Sequence, residues 1–99
     1  MILQHGLLDN SATWLLDTDN TCILPFMFAD LGYDVWMTNT RGNRESFEHM
    51  NPIEFNANDH KSKYWNFSWD EMAMYDLPYH IDHIRAVTKQ EKVFYVGHS

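Results

Sequence analysis

Val93-Phe94-Tyr95-Val96-Gly97-His98-Ser99, the closing stretch of the sequence, decides how the rest is read. A short β-branched and aromatic run bounded by turn signals predicts a buried strand. It leads directly into Gly-His-Ser, the first three positions of the nucleophile elbow G-x-S-x-G. In that motif a serine stands on a sharp strand-to-helix turn, its Oγ exposed at the end of the sheet. The flanking glycines let strand and helix pass without a Cβ clash. Ser99 is therefore the candidate nucleophile, and Gly97 and His98 shape its turn. The motif's second half is expected beyond the residues given.

Upstream of this strand, Ser68-Trp69-Asp70-Glu71 is a capping box that opens a helix expected to reach about Thr88. Trp69, Met72, Ala73, Leu77, Ile81, Ile84 and Val87 form one apolar stripe along it. Pro78 falls inside and should kink the helix or open its bonding ladder. Residues 44–66 are polar, with Asn51-Pro52 as a turn signal and no clear period, and read as a long surface excursion. Tyr33 to Asn39 is a second strand, ending at Arg41-Gly42-Asn43. Cys22 to Leu31 is apolar throughout and predicts a buried helix. Its expected N-cap is Asn20 or Thr21, and Gly32 its C′ residue. Pro25 is tolerable there only in the first turn. Met1 to Gln4 is a first strand that closes at His5-Gly6. Polar loops at Asp9-Asn10-Ser11 and Asp17-Thr18-Asp19-Asn20 flank an apolar Trp14-Leu15-Leu16.

The order β-α-β-α-β predicts an α/β fold: a parallel sheet of three strands with two crossover helices, in one domain spanning 1–99. Sequence alone does not fix the strand order. If the first strand is central, right-handed crossovers put the helices on opposite faces. The carboxyl end of the first strand is then a switch point, where such sheets bind ligands. His5-Gly6-Leu7 and Gly97-His98-Ser99 would face each other across it.

A serine that takes an acyl group needs a base, an orienting acid and oxyanion donors. Gly6 lets the backbone approach a substrate closely, so the Leu7 amide is the candidate oxyanion donor. The usual second donor follows the serine, and losing one donor costs roughly 10²–10³ in rate. The acid and base also follow the serine in this chain order, so the 99 residues alone are expected to be inactive. None of the six histidines substitutes as base. His5 shapes its loop, His98 points elsewhere, and His49 and His60 are solvated. His80 and His83 with Asp76 have helical spacing but no catalytic-metal signature, and read as a polar face. Asn66-Phe67-Ser68 is a glycosylation sequon, with Ser68 already explained as a cap.

Composition narrows the partners. A net charge of −7 and no Lys/Arg cluster exclude nucleic acid. Hydrophobic content of 44% and aromatic content of 15% argue for a folded chain. No stretch is long enough for a transmembrane helix. The first residues have neither the basic nor the apolar region of a signal peptide. Cys22 is the lone cysteine and reads as a small buried apolar residue. Oligomeric state is not legible.

Several blocks together resemble the acid lipases, the gastric and lysosomal enzymes with their plant and insect relatives. They are Leu3-Gln4-His5-Gly6-Leu7, Ala29-Asp30-Leu31-Gly32-Tyr33-Asp34-Val35-Trp36 and Asn39-Thr40-Arg41-Gly42-Asn43. Phe67-Ser68-Trp69-Asp70-Glu71-Met72, Tyr75-Asp76-Leu77-Pro78 and Tyr95-Val96-Gly97-His98-Ser99 complete the set. The resemblance implies an α/β-hydrolase that cleaves acyl esters of neutral lipids, triacylglycerol or cholesteryl ester, through a serine acyl-enzyme and without a cofactor. By position Ser99 matches the nucleophile and the Leu7 amide an oxyanion donor. A central first strand and a secreted, lysosomal or endomembrane, glycosylated protein are also implied. The chain would be a fragment without the lid, the first strands, or the triad Asp and His. Two departures stand out: the stretch 44–63 is long and poorly matched, and Pro25 replaces a helix-friendly residue. The alternative is a short non-catalytic remnant acting as an interaction module. Thioesterases and carboxylesterases are disfavoured by the Gln4–Leu7 and Tyr75–Pro78 blocks, and aspartate-nucleophile enzymes by Ser99.

Overall fold

Three short runs of backbone pair as parallel strands, β1 (Ile2–Gln4), β2 (Trp36–Thr38) and β3 (Tyr95–Gly97), in the order β2-β1-β3. They belong to a computed structural model that describes residues 1–16 and 22–99. In β1, Leu3 stands beside Met37 on one side and Val96 on the other. Successive strand residues face opposite sides of a sheet, yet Ile2 and Leu3 are both 0% exposed. Both faces of the central strand are therefore covered. The chain moves from β1 to β2 in one direction and from β2 to β3 in the other. Right-handed crossovers then place the intervening helices on opposite faces.

The first crossover contains helix α1 (Leu24–Asp30). Pro25 lies in its first turn, where the missing N–H has no intrahelical role. Gly32, at φ +95°, follows the helix in the left-handed conformation expected of a C′ residue. The expected N-cap, Asn20 or Thr21, lies outside the described residues, as does the loop 17–20. The strand expected to be buried at 93–96 is β3, an edge strand whose Tyr95, like Phe94 before it, is exposed. Two further expectations are corrected here. Pro25 is the one buried residue of α1, and Phe26, Met27 and Leu31 are exposed. The helix is largely apolar, and its neighbours are the 3₁₀ turn Ser11–Leu15 and Tyr33; Phe28 meets the Tyr33 ring edge-on at 5.7 Å, and Tyr33 meets Phe94 at 5.8 Å. Cys22, expected to be buried, is exposed just ahead of the first helical turn.

The second crossover begins at the capping box. Glu71 accepts from the Ser68 amide (2.5 Å), and the Ser68 hydroxyl accepts from the Asp70 amide (3.2 Å). Bonds from the Ser68 amide foremost, then from the Glu71 amide and the Ser68 hydroxyl, hold the Glu71 carboxyl below its ordinary pKa. Helix α2 (Trp69–Glu71) passes into a π-helical stretch over Met72–Asp76 and then into α3 (Leu77–Thr88). Pro78 explains the wide turn. Its ring would meet the carbonyl four residues back, and it has no N–H to give; opening the ladder to i→i+5, with the Leu77 N–H on the Met72 carbonyl, relieves both. Along the stripe, Ile84 is buried and Met72, Leu77 and Ile81 are half-buried, while Trp69, Ala73 and Val87 are exposed.

The excursion 44–66 is more ordered than its lack of period predicts. It contains 3₁₀ turns at Arg44–Ser46 and Lys63–Trp65 and buries Ala57 and Tyr64. Phe47, Tyr64, Trp65 and Phe67 meet edge-to-face or stacked, and the Trp65 indole N–H bonds the Ala57 carbonyl at 3.1 Å. Scattered aromatics that meet only in three dimensions leave no periodic trace in a sequence.

Candidate active site

The ends of β1 and β3 meet through backbone. The His98 N–H donates to the Gln4 carbonyl at 3.0 Å. A Cβ placed on Gly6 would stand 3.1 Å from the His98 carbonyl oxygen and 3.2 Å from the Ser99 Cβ. A side chain at this position would push the facing turn back by a few tenths of an ångström, so the glycine suits the close approach. Ser99 has φ +56° and Leu8 φ +63°. Both are non-glycine residues in a sparsely populated region, of the kind that clusters at functional sites. The His98 ring is turned edge-on to Trp14, 6.4 Å between centroids.

Beside Ser99 opens a cleft of about 810 Å³, whose walls include Leu7, Leu8, Trp65, Phe67, Trp69, Met72 and Tyr95. Its lining is mostly apolar with a few polar groups, the usual make-up of a small-molecule site. Leu7 is 58% exposed at the rim. A second hollow, about 870 Å³, lies around Asp76, Tyr79 and His80 and does not reach Ser99.

The turn after β2 borders the cleft and is held from several sides. The Asp76 carboxylate accepts from the Arg41 amide (2.9 Å), Nε (2.9 Å) and Nη2 (2.7 Å). These bonds raise the Arg41 pKa, and the guanidinium also lies over the rings of Phe67 and Tyr75. The Tyr64 hydroxyl accepts from the Gly42 amide (3.0 Å) and donates to the Ser46 carbonyl (2.8 Å). Gly42 has φ +91°, and a Cβ there would come within 2.6 Å of Phe67 Cζ. A larger residue fits neither the backbone nor the space.

His5 is buried between the two turns. Its Nε2 accepts from the Thr40 amide (3.2 Å) and faces Asn43 Nδ2 (3.1 Å), while its Nδ1 reaches the Gly6 carbonyl (2.8 Å). His49, His60, His80 and His83 lie outside the two turns and do not line the cleft beside Ser99. His49 stacks on Phe55, His60 is exposed, and His83 packs edge-on against Trp36. His80 is half-buried with an unpartnered Nδ1, and burial lowers its pKa. Asp76, which the helical spacing grouped with His80 and His83, is engaged by Arg41. Among the described residues no cluster of metal-ligating side chains occurs, and no helix is long and apolar enough to cross a membrane. Asn66 is exposed between the Lys63–Trp65 turn and the capping serine.

The sequence reading singled out Ser99, Leu7, His5, Gly6, Gly97 and His98, and all six lie in the two abutting turns. It missed the Arg41–Asp76 pair and Tyr64. Both members of that pair stand in quoted blocks, but nothing in one sequence says that a turn and a helix 35 residues on share a hydrogen-bonded ion pair.

The whole chain, residues 1–99, matches the alpha/beta hydrolase fold. It belongs to that family. Within the alpha/beta hydrolases it is acid lipase-like. It is 48% identical over 97 residues to human lipase member J, which covers 98% of this chain and 25% of that protein. It is 46% identical over 99 residues to human lysosomal acid lipase/cholesteryl ester hydrolase, covering 100% of this chain and 23% of that protein. Lipase 1 of Drosophila melanogaster is 47% identical over 100 residues, covering 99% of this chain and 21% of that protein. This alpha/beta hydrolase chain thus spans between a fifth and a quarter of the length of the relatives it matches.

Proposed function

We propose that this chain is the nucleophile-bearing part of a serine lipase that hydrolyses acyl esters of neutral lipids. Ser99 Oγ attacks the ester carbonyl while its proton passes to a base outside these residues, and the Leu7 amide donates to the oxyanion. The ester C–O bond breaks, the alcohol leaves with that proton, and water then releases the fatty acid from the acyl-enzyme. His5, Gly6, Gly97 and His98 shape the two turns. The apolar cleft beside Ser99 suits an acyl chain. The observation that carries the reading is Ser99 in left-handed backbone at the end of a parallel strand, abutting the glycine turn that carries Leu7. No cofactor is required by this chemistry.

In relatives named as lipases the triad acid and base would be supplied by the remaining length, so the 99 residues by themselves lack a base for Ser99. One of those relatives is named lysosomal, which supports a lysosomal, secreted or endomembrane setting for the intact protein. Asn66 is a candidate glycan site in that setting.

The test is a short-chain nitrophenyl ester assay of the purified 99-residue chain, with Ser99→Ala as control. No turnover above background is expected. Turnover that vanishes in Ser99→Ala would show that these residues hold a complete site and overturn the need for a distant base. Reading the transcript past the Ser99 codon is the companion test: a following x-Gly, then an Asp and a His, supports the lipase reading, and a stop codon overturns it.

A further inference from the structure

We infer that Asp76 and Arg41 are positioning residues that fix the direction of the Leu7 amide through the buried ring of His5. The inference rests on the reading of that amide as an oxyanion donor, and it adds where the donor's orientation comes from.

The argument follows one proton. The Thr40 amide donates to His5 Nε2 at 3.2 Å, so Nε2 carries the lone pair. In a neutral imidazole the proton is then on Nδ1, which donates it to the Gly6 carbonyl at 2.8 Å. That carbonyl and the Leu7 N–H belong to one planar trans peptide and point in opposite directions. The Asp9 amide donates to the same carbonyl at 3.2 Å. Holding the Gly6 oxygen thus aims the Leu7 hydrogen.

The tautomer is in turn set from outside the turn. Thr40 precedes Arg41, whose amide and guanidinium are both taken by Asp76. The carboxylate belongs to the π-helical stretch that Pro78 enforces, and its side chain is only 12% exposed. Asp76 therefore fixes the peptide next to the one that donates to His5. Breaking the pair releases the 40–43 turn, which carries both groups that face Nε2, the Thr40 amide and Asn43 Nδ2, and either ring nitrogen can then carry the proton. With the proton on Nε2, the His5 bond to Gly6 disappears, the Asp9 amide alone holds that carbonyl, and the aim of the Leu7 amide loosens.

The test reads this network directly and needs no turnover. In the ¹⁵N-labelled 99-residue chain, long-range ring correlations are expected to show His5 as the single Nδ1–H tautomer. Asp76→Asn keeps the shape and removes the charge. It should mix the His5 tautomers and shift the Thr40, Arg41 and Leu7 amides. Arg41→Lys keeps a charge but not the fork, and should give an intermediate response even if Asp76→Asn unfolds the chain. Glu71→Gln loosens the same helical segment at its cap and should leave His5 and Leu7 unmoved. An Nε2–H tautomer in the unmutated chain overturns the inference. So does an unmoved Leu7 amide in both variants while Arg41 shifts, or an equal response to Glu71→Gln. Loss of the lipase reading would leave these spectra as described, and loss of the network would leave the ester assay and the transcript test of the lipase reading untouched, so the two fail separately.

Discussion

Single residues carry most of the information at the strand ends, and their physical reasons differ. Gly6 is there for close approach, Gly42 for a positive φ against the Phe67 ring, and Ser99 adopts a positive φ without being a glycine. His80 shows the opposite situation, a polar group with a burial cost. It is half-buried with Nδ1 unpartnered, and burial lowers its pKa from an ordinary 6.5. Asp76 opposes that shift; His83 and His5 add to it. Below about pH 6.5 the unfolded chain takes up a proton that the folded chain resists. Stability is therefore full above that pH and falls as the pH drops towards the lower, folded value. Melting curves of the unmutated chain and His80→Gln should converge on acidification, the variant showing the shallower loss as the pH falls below 6.5. Parallel curves would mean that His80 does not titrate differently on folding.

Elements follow local signals wherever those signals are chemical rather than periodic. The capping box at Ser68, the proline in the first turn of α1, the C′ glycine at Gly32 and the disturbance at Pro78 were all legible, because each rests on the hydrogen-bonding capacity of one or two residues. Burial was not. The apolar stretch 22–31 predicts a buried helix, and most of α1 is exposed, since burial depends on what lies opposite. The ordering of 44–66 was equally hidden, because it comes from ring contacts between Phe47, Tyr64, Trp65 and Phe67. The cap offers the cleanest test at this scale. Ser68→Ala removes the hydroxyl that accepts from the Asp70 amide and should cost about 1 kcal/mol. For a domain of this size that lowers the melting temperature by roughly 4–8 °C. Ser68→Thr should recover most of it, and an unchanged transition in Ser68→Ala would mean that the segment from Trp69 contributes nothing to the cooperative unit.

At the scale of the whole molecule the topology was legible only by combining signals. Alternating strands and helices imply a parallel sheet, but a central β1 came from resemblance, and the order β2-β1-β3 agrees with it. That order is what brings the turn at Gly6 against Ser99, whereas the Arg41–Asp76 link across the sheet end has no counterpart in any local pattern. The same arrangement leaves much of the molecule uncovered. Its accessible surface is 7598 Å², against about 5,900 Å² for a compact monomer of this mass. The radius of gyration is 15.1 Å and the thinnest dimension 20 Å, where about 13 Å is usual for the radius at this length. β2 and β3 each have one unpaired edge among the described residues, and Phe26, Leu31, Trp69, Tyr79, Val87 and Phe94 are all more than half exposed. Open strand edges and apolar surface of this extent favour association with other chains. The 99-residue chain should therefore show a mass-average above the monomer in light scattering, rising with concentration, and should bind an apolar dye strongly. A monomer at every concentration with no dye binding would mean that the exposed side chains rearrange to cover one another in solution.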